Sequence, residues 1–273
     1  MKNVVRVLSA HPIDDAIRAR VLQALDQIET EYDVKVLFAC ESGSRGWGFA
    51  SPDSDYDVRF VYVQRLPWYL TVEARRDVIE IPISDELDVC GWELRKALQL
   101  LRKSNPTLLE WLDSPVVYRE DAKLAARMRA LAPQFFSAIR GRYHYLAMAK
   151  KNFRGYLQGE SVRLKKYLYV LRPLLAVRWI DSGMGMPPMR FADLVAGTMT
   201  DAALLDEINR LLAIKMQASE VEYSARWPEI HKYIEHALQN AEHNPDYKRP
   251  EGDAHELDQF LKEVVLSWPA LSI

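Results

Sequence analysis

The chain has 273 residues, a formal net charge of −2, 49% hydrophobic and 27% charged residues. This excludes a disordered chain and leaves no global drive toward nucleic acid or membranes, so any basic patch must be local. Two cysteines, Cys40 and Cys90, exclude a disulfide framework and a four-cysteine zinc site, and the chain lacks a run of about 18 apolar residues, the length that crosses a membrane.

The start, "MKNVVRVLSAHPIDD", has too short an apolar stretch for a signal peptide, so a reducing cytoplasm is the expected compartment. Pro12, Asp14 and Asp15 then open a helix, with Ile17, Val21, Leu22, Leu25 and Ile28 at helical spacing. "VKVLFAC" (34–40) reads as a buried strand, "DVRFVYV" (57–63) as a second, and "DELDVCGWEL" (85–94) as a third that alternates Leu87 and Val89 with Glu86 and Asp88. From residue 93 the pattern turns helical, and Pro106 opens a further helix after Asn105. Beyond Tyr118 no strand is expected. Helices are expected over 121–132, 133–155, 162–180, 201–213 and 256–267, with loops at "SGMGMPPMRFADL" and "NAEHNPDYKRPEGDAHE". The change to an all-helical pattern sets a domain boundary near residue 120, giving units 1–120 and 121–273.

Between the first two strands lies "ESGSRGWGFASPDSDYDVRF" (41–60). Asp55 and Asp57 are two residues apart, so a strand projects both from one face, with Tyr56 and Val58 facing a core. Carboxylates this close repel unless a cation lies between them, and a small set of oxygen ligands suits Mg²⁺. Upstream, Gly43 and Ser44 stand where a strand feeds a short helix. Free N–H groups there favour phosphate, glycine permits close backbone approach, and the Ser44 hydroxyl donates. Arg45 either aims at phosphate or braces the aspartates. Asp53 is read as a turn residue, and Arg59, of the same parity as the aspartates, as an ion partner or a substrate contact. The glycine order fits neither a Walker A loop nor a dinucleotide fingerprint. The competing reading of the aspartates is a solvated strand start.

"GSRGWGFASPDSDYDVRF" resembles the G-S-x(~10)-[DE]-h-[DE]-h signature of the DNA polymerase beta-like nucleotidyltransferases. With "KSNPTLLEWLDSPVVY" and "KKYLYVLRPLLA" downstream, the chain is similar to a bacterial and phage branch associated with RNA repair, in scattered blocks over residues 30–180. The resemblance implies an α+β protein: a polymerase beta-like mixed sheet with helices, followed by an all-helical C-terminal domain. It implies a third carboxylate, which Leu87-Asp88-Val89 matches, with Glu86 as the fallback and Asp85 on the opposite face. It implies transfer of a nucleoside monophosphate from an NTP to a hydroxyl acceptor, with release of pyrophosphate. Asp55, Asp57 and Asp88 would bind two Mg²⁺ ions (or Mn²⁺), and Gly43 and Ser44 would hold the β,γ-phosphates.

Between residues 140 and 190 cations such as Lys150, Arg154, Lys165, Lys166 and Arg172 outnumber the anions Glu160 and Asp181. A local positive wall suits a polyphosphate or RNA, with Lys165, Lys166 and Arg172 reaching phosphates and Tyr167 and Tyr169 either stacking a base or lying in the core. His231 and His236 do not share a helix face, and no zinc motif occurs. The acceptor stays open between an RNA end, a protein side chain and a small molecule. The rival functions are a catalytically silent nucleotide- or RNA-binding module and an antitoxin-like neutraliser that modifies or masks a protein.

Overall fold

The computed structural model describes residues 7–82, 86–217, 223–242 and 247–268; Asp85, named above, lies outside these. In chain order the elements are α1 (Asp15–Tyr32), β1 (Lys35–Glu41), α2 (Gly43–Trp47), β2 (Tyr56–Val63), α3 (Leu66–Tyr69), β3 (Val78–Glu80) and β4 (Leu87–Glu93). They continue as α4 (Leu94–Arg102), α5 (Pro106–Leu112), β5 (Val117–Glu120), α6 (Ala122–Phe135), α7 (Ala138–Tyr156), β6 (Ser161–Arg163) and α8 (Leu164–Asp181). The last are α9 (Phe191–Thr198), α10 (Ala202–Gln217), β7 (Tyr223–Ala225), α11 (Pro228–Gln239) and α12 (Ala254–Ser267). The protein is α+β.

Two compact units interleave along the chain. One comprises Pro12–Gly43, Asp55–Phe136 and Pro250–Ile273; the other comprises Met1–His11, Ser44–Ser54 and Ser137–Arg249. The composition change near residue 120 coincides with the end of β5, whereas the units part after Phe136.

The first unit holds a five-stranded mixed sheet in the order β3-β4-β2-β1-β5. Only β2 and β4 run parallel; the other neighbours are antiparallel. Strand β2 alternates because one face is buried: Tyr56, Val58 and Phe60 join Leu87 and Val89 of β4 against Ile17, Val21, Leu25 and Ile28 of α1. That alternation leaves Asp57, Arg59 and Asp88 on the other face. Helix α1 is fixed by its Asp14 cap, whose carboxylate accepts the Ala16 N–H.

Several elements depart from expectation. Strands β3 and β5 have three and four residues, too few to show an alternating run. The helix expected over 133–155 is broken, because Ser137 caps a new helix by accepting the Arg140 N–H. Two short strands, β6 and β7, pair with each other in the otherwise helical second unit. Helix α9 begins inside the stretch expected to be a loop.

At the β4–α4 junction Glu93 is fully buried. It accepts the Lys96 N–H and the Tyr69 hydroxyl. Burial pushes its carboxyl above the ordinary value of 4.5, although these hydrogen bonds pull the other way. The folded state then binds the proton more tightly than the unfolded chain, so stability falls as pH rises from 4.5 through the raised value. Glu93→Gln is expected to flatten that fall in urea melts taken across the window, whereas a pH profile identical to wild type would contradict it.

Candidate functional site

The parallel register of β2 and β4 sets Asp57 directly beside Asp88. Both carboxylates converge on one guanidinium nitrogen: Arg59 Nη2 lies 2.8 Å from Asp57 Oδ1 and 2.7 Å from Asp88 Oδ2. Arg59 Nη1 also donates to the Asp88 carbonyl at 2.8 Å. All three side chains are partly exposed, at 29% for Asp57, 33% for Asp88 and 17% for Arg59, so the cluster opens to solvent on one side. Burial works against the Arg59 charge, yet the bond to Asp88 and the charges of both aspartates more than offset it and hold its pKa above the ordinary value. The cation demanded by close carboxylates is thus supplied by the chain itself.

Asp55 is exposed and precedes β2 by one residue. Among the described residues no three acidic, histidine or cysteine side chains are grouped so as to hold a metal. Hard carboxylate oxygens such as those of Asp57 and Asp88 suit Mg²⁺, which completes its shell with water and phosphate oxygens, but here both meet at Arg59 Nη2, so an ion between them would take the place of that guanidinium nitrogen. Glu86, the fallback for the third carboxylate, pairs instead with Arg20 of α1 at 3.1 Å. It lies before the first residue of β4, so the strand period does not hold it on the Asp88 face.

Behind the pair lies a carboxylate missed in the sequence. Glu41, the last residue of β1, is fully buried. Its Oε1 accepts the Asp57 N–H at 2.8 Å, and its Oε2 accepts the Tyr118 hydroxyl at 2.5 Å. The Ser42 N–H donates to the Asp57 carbonyl at 2.8 Å, so the backbone of Asp57 is held from both sides. A charged residue closing the apolar run 34–40 was the available signal. Gly43 follows at φ +56°, and a Cβ there would overlap the Asp57 carboxylate. Glycine is required at this position for backbone conformation and for close approach alike.

The unit that contains Ser44–Ser54 holds the rest of the motif. Ser44 is buried, and its carbonyl accepts the Gly48 and Phe49 N–H groups. The Arg45 guanidinium is buried and donates to the Ser54 carbonyl at 2.7 Å. It therefore braces the turn that leads into Asp55. Lys215 of α10, also missed, is buried and donates to Ser51 Oγ at 2.6 Å. Ser51 and Ser54 hydroxyls lie 2.8 Å apart and complete this lock on the turn.

The expected positive wall divides. Arg172 is buried, donates to the Met189 carbonyl and stacks on Trp47 at 4.6 Å. Arg142 is buried against Asp181 at 2.9 Å. Both are interior groups, not parts of a solvent-facing wall. Lys165 and Lys166 are half-buried, with Lys166 Nζ 4.0 Å from the Tyr156 ring and 5.0 Å from the Tyr169 ring. Tyr167 is fully buried and bonds His231 and the Trp227 N–H, so of its two readings the core one holds. A count of cations along the chain carried no burial information for those on α8.

No helix of the described residues is long and apolar enough to cross a membrane. A solved nucleotidyltransferase-like protein from Exiguobacterium sibiricum 255-15 is similar at 15% identity and a TM-score of 0.29, over 90% of this chain and 76% of that one. The uncharacterized protein YcgL of Bacillus subtilis (strain 168) is 48% identical over 219 residues, covering 80% of this chain and 84% of the relative. The family model described as RlaP, RNA repair pathway DNA polymerase beta family, matches residues 17–263. The Gly-Ser motif, the Asp57–Asp88 pair and this match along nearly the whole chain lead to one conclusion: the protein belongs to the RNA repair pathway DNA polymerase beta family.

Proposed function

We propose that the protein transfers a nucleoside monophosphate from an NTP to a hydroxyl acceptor, an RNA end being the acceptor that the family favours. The observation that supports this reading is the parallel register that sets Asp57 directly beside Asp88, with both carboxylates partly exposed. Asp57 and Asp88 would hold Mg²⁺ (or Mn²⁺), with Asp55 joining them in a two-ion arrangement. Bound metal supplies charge neutralisation at the triphosphate and a lowered pKa at the attacking hydroxyl. Asp88 would also accept the hydroxyl proton. Glu41 fixes the Asp57 backbone, and Gly43 with Ser44 offers N–H groups and a hydroxyl to the phosphates.

One observation favours a silent nucleotide- or RNA-binding module: among the described residues no third ligand joins the pair. Incubating the protein with Mg²⁺ or Mn²⁺ and each α-labelled NTP, with total RNA, protein extract and metabolites as acceptors, separates the two. Label in the RNA fraction with pyrophosphate release supports transfer to RNA. Label in another fraction keeps transfer and moves the acceptor. No pyrophosphate under any condition favours the silent module.

Lys165 and Lys166 are half-buried cations in the first turn of α8. If RNA is the acceptor, changing both to Ala is expected to weaken RNA binding and flatten the log–log salt slope by about one to two units. A double variant that only melts lower would make these lysines structural.

A further inference from the structure

The second unit has a feature that the transfer reading does not use. Helices α7 and α11 flank a cavity of about 380 Å³, lined by Lys150, Phe153, Arg154, Gln158, Glu235 and Gln239 among others. That volume lies in the range of small-ligand sites, which begin at roughly 300 Å³. Lys150 and Arg154 are four residues apart on α7 and share a face. Complementing the helix dipole would account for Arg154 in the last turn. It does not account for Lys150 one turn earlier, nor for Phe153 between them.

The lining is built rather than incidental. The Phe153 ring packs against His231 at 5.8 Å between centroids. His231 is buried and faces the Tyr167 hydroxyl at 3.3 Å and Glu235 at 3.4 Å. Arg226 donates to the carbonyls of Gln158 and Gly159 at 2.6 and 2.9 Å, which fixes where Gln158 leaves the chain. The charge balance separates this cavity from its neighbour. Two cations here oppose Glu235 alone. The adjoining cavity sets Asp201, Glu229 and Glu235 against Lys232 and so repels anions.

Each wall matches one part of a nucleotide. A phosphate dianion suits two cations on one helix face, with the Arg154 guanidinium able to bond it bidentately. The partly exposed Phe153 face suits a base. The Gln158 and Gln239 amides carry donors and acceptors for a base edge, and the Glu235 carboxylate accepts from a ribose hydroxyl. A sugar phosphate or inorganic phosphate would leave the aromatic face and the amides without a partner. We propose that this cavity binds a nucleotide with a terminal phosphate monoester, either free or as the phosphorylated end of an RNA strand.

Binding here needs neither metal nor Asp57, so it is measured in EDTA, where the proposed transfer cannot run and its failure cannot be mistaken for failure of the site. The probes are a 5′-phosphorylated RNA hexamer, the same hexamer with a 5′-hydroxyl, and the four free nucleoside monophosphates, titrated by calorimetry. The phosphorylated hexamer or the monophosphates should bind, and the hydroxyl hexamer should bind about tenfold more weakly than its phosphorylated form. Preference for the hexamer assigns an RNA end; equal affinity for monophosphates assigns a free nucleotide. Arg154→Gln, an exposed and foldable change, should weaken the phosphorylated probe about tenfold and leave the hydroxyl hexamer unchanged. Phe153→Leu should weaken every probe that binds. Equal binding of phosphorylated and hydroxyl hexamers, insensitivity to both variants, or no binding at millimolar probe would overturn the proposal.

Discussion

Asp57→Asn is expected to abolish nucleotidyl transfer while leaving the fold in place. An amide matches the carboxylate in size but is a poor Mg²⁺ ligand. Losing several kcal/mol of charge stabilisation at the reacting phosphate corresponds to about three orders of magnitude in rate. The fold should tolerate the change because Arg59 keeps Asp88 at 2.7 Å and the ion pairs are partly solvated. Such pairs are worth about 0–1 kcal/mol, so melting should shift by only a few degrees. Steady-state pyrophosphate release and a melt on the same preparation check both statements. Near-normal turnover at saturating Mg²⁺ would remove Asp57 from the metal site.

The second large effect falls on stability. Glu41→Ala strips acceptors from the Asp57 N–H and the Tyr118 hydroxyl, both now held by its carboxylate. Leaving a buried donor unsatisfied costs about 1–3 kcal/mol, so two such losses amount to about 2–6 kcal/mol. At about 2–4 °C per kcal/mol for a chain of this class, a drop of roughly 5–20 °C is expected in a thermal melt. Glu41→Gln keeps an acceptor for the Asp57 N–H and nearly the same volume, so it should recover most of the loss. If Glu41→Ala melts like wild type, the buried network is not holding β1 to β2 and β5. If Glu41→Gln is stable but inactive, Glu41 acts on the reaction directly rather than through the position of Asp57.

Much of the sheet unit was legible along the chain. Strands β1, β2 and β4 each have at least seven residues, and in β2 and β4 one buried face alternates with a more open one. Period-two patterning put Glu86 and Asp88 on one strand face, and Asp88 does lie beside Asp57. Glu86 escaped the same rule because it sits in a turn, where its neighbours do not fix its direction. Strands β3 and β5 were illegible because they are short and are held by pairing with β4 and β1, a partner-dependent fact.

For the site, the sequence by itself determined the chemistry available: a Gly-Ser turn, carboxylates at strand spacing and a surplus of cations in the helical part. These follow from residue identity and local geometry, which are written along the chain. Only the tertiary structure decided which groups meet. It set Asp57 against Asp88 through a parallel pairing between strands separated by residues 64–86. It placed Arg59 between the two carboxylates, buried Glu41 behind them and turned Arg172 inward against Trp47. Burial and cross-strand register are sums over residues distant in sequence, so no local pattern encodes them.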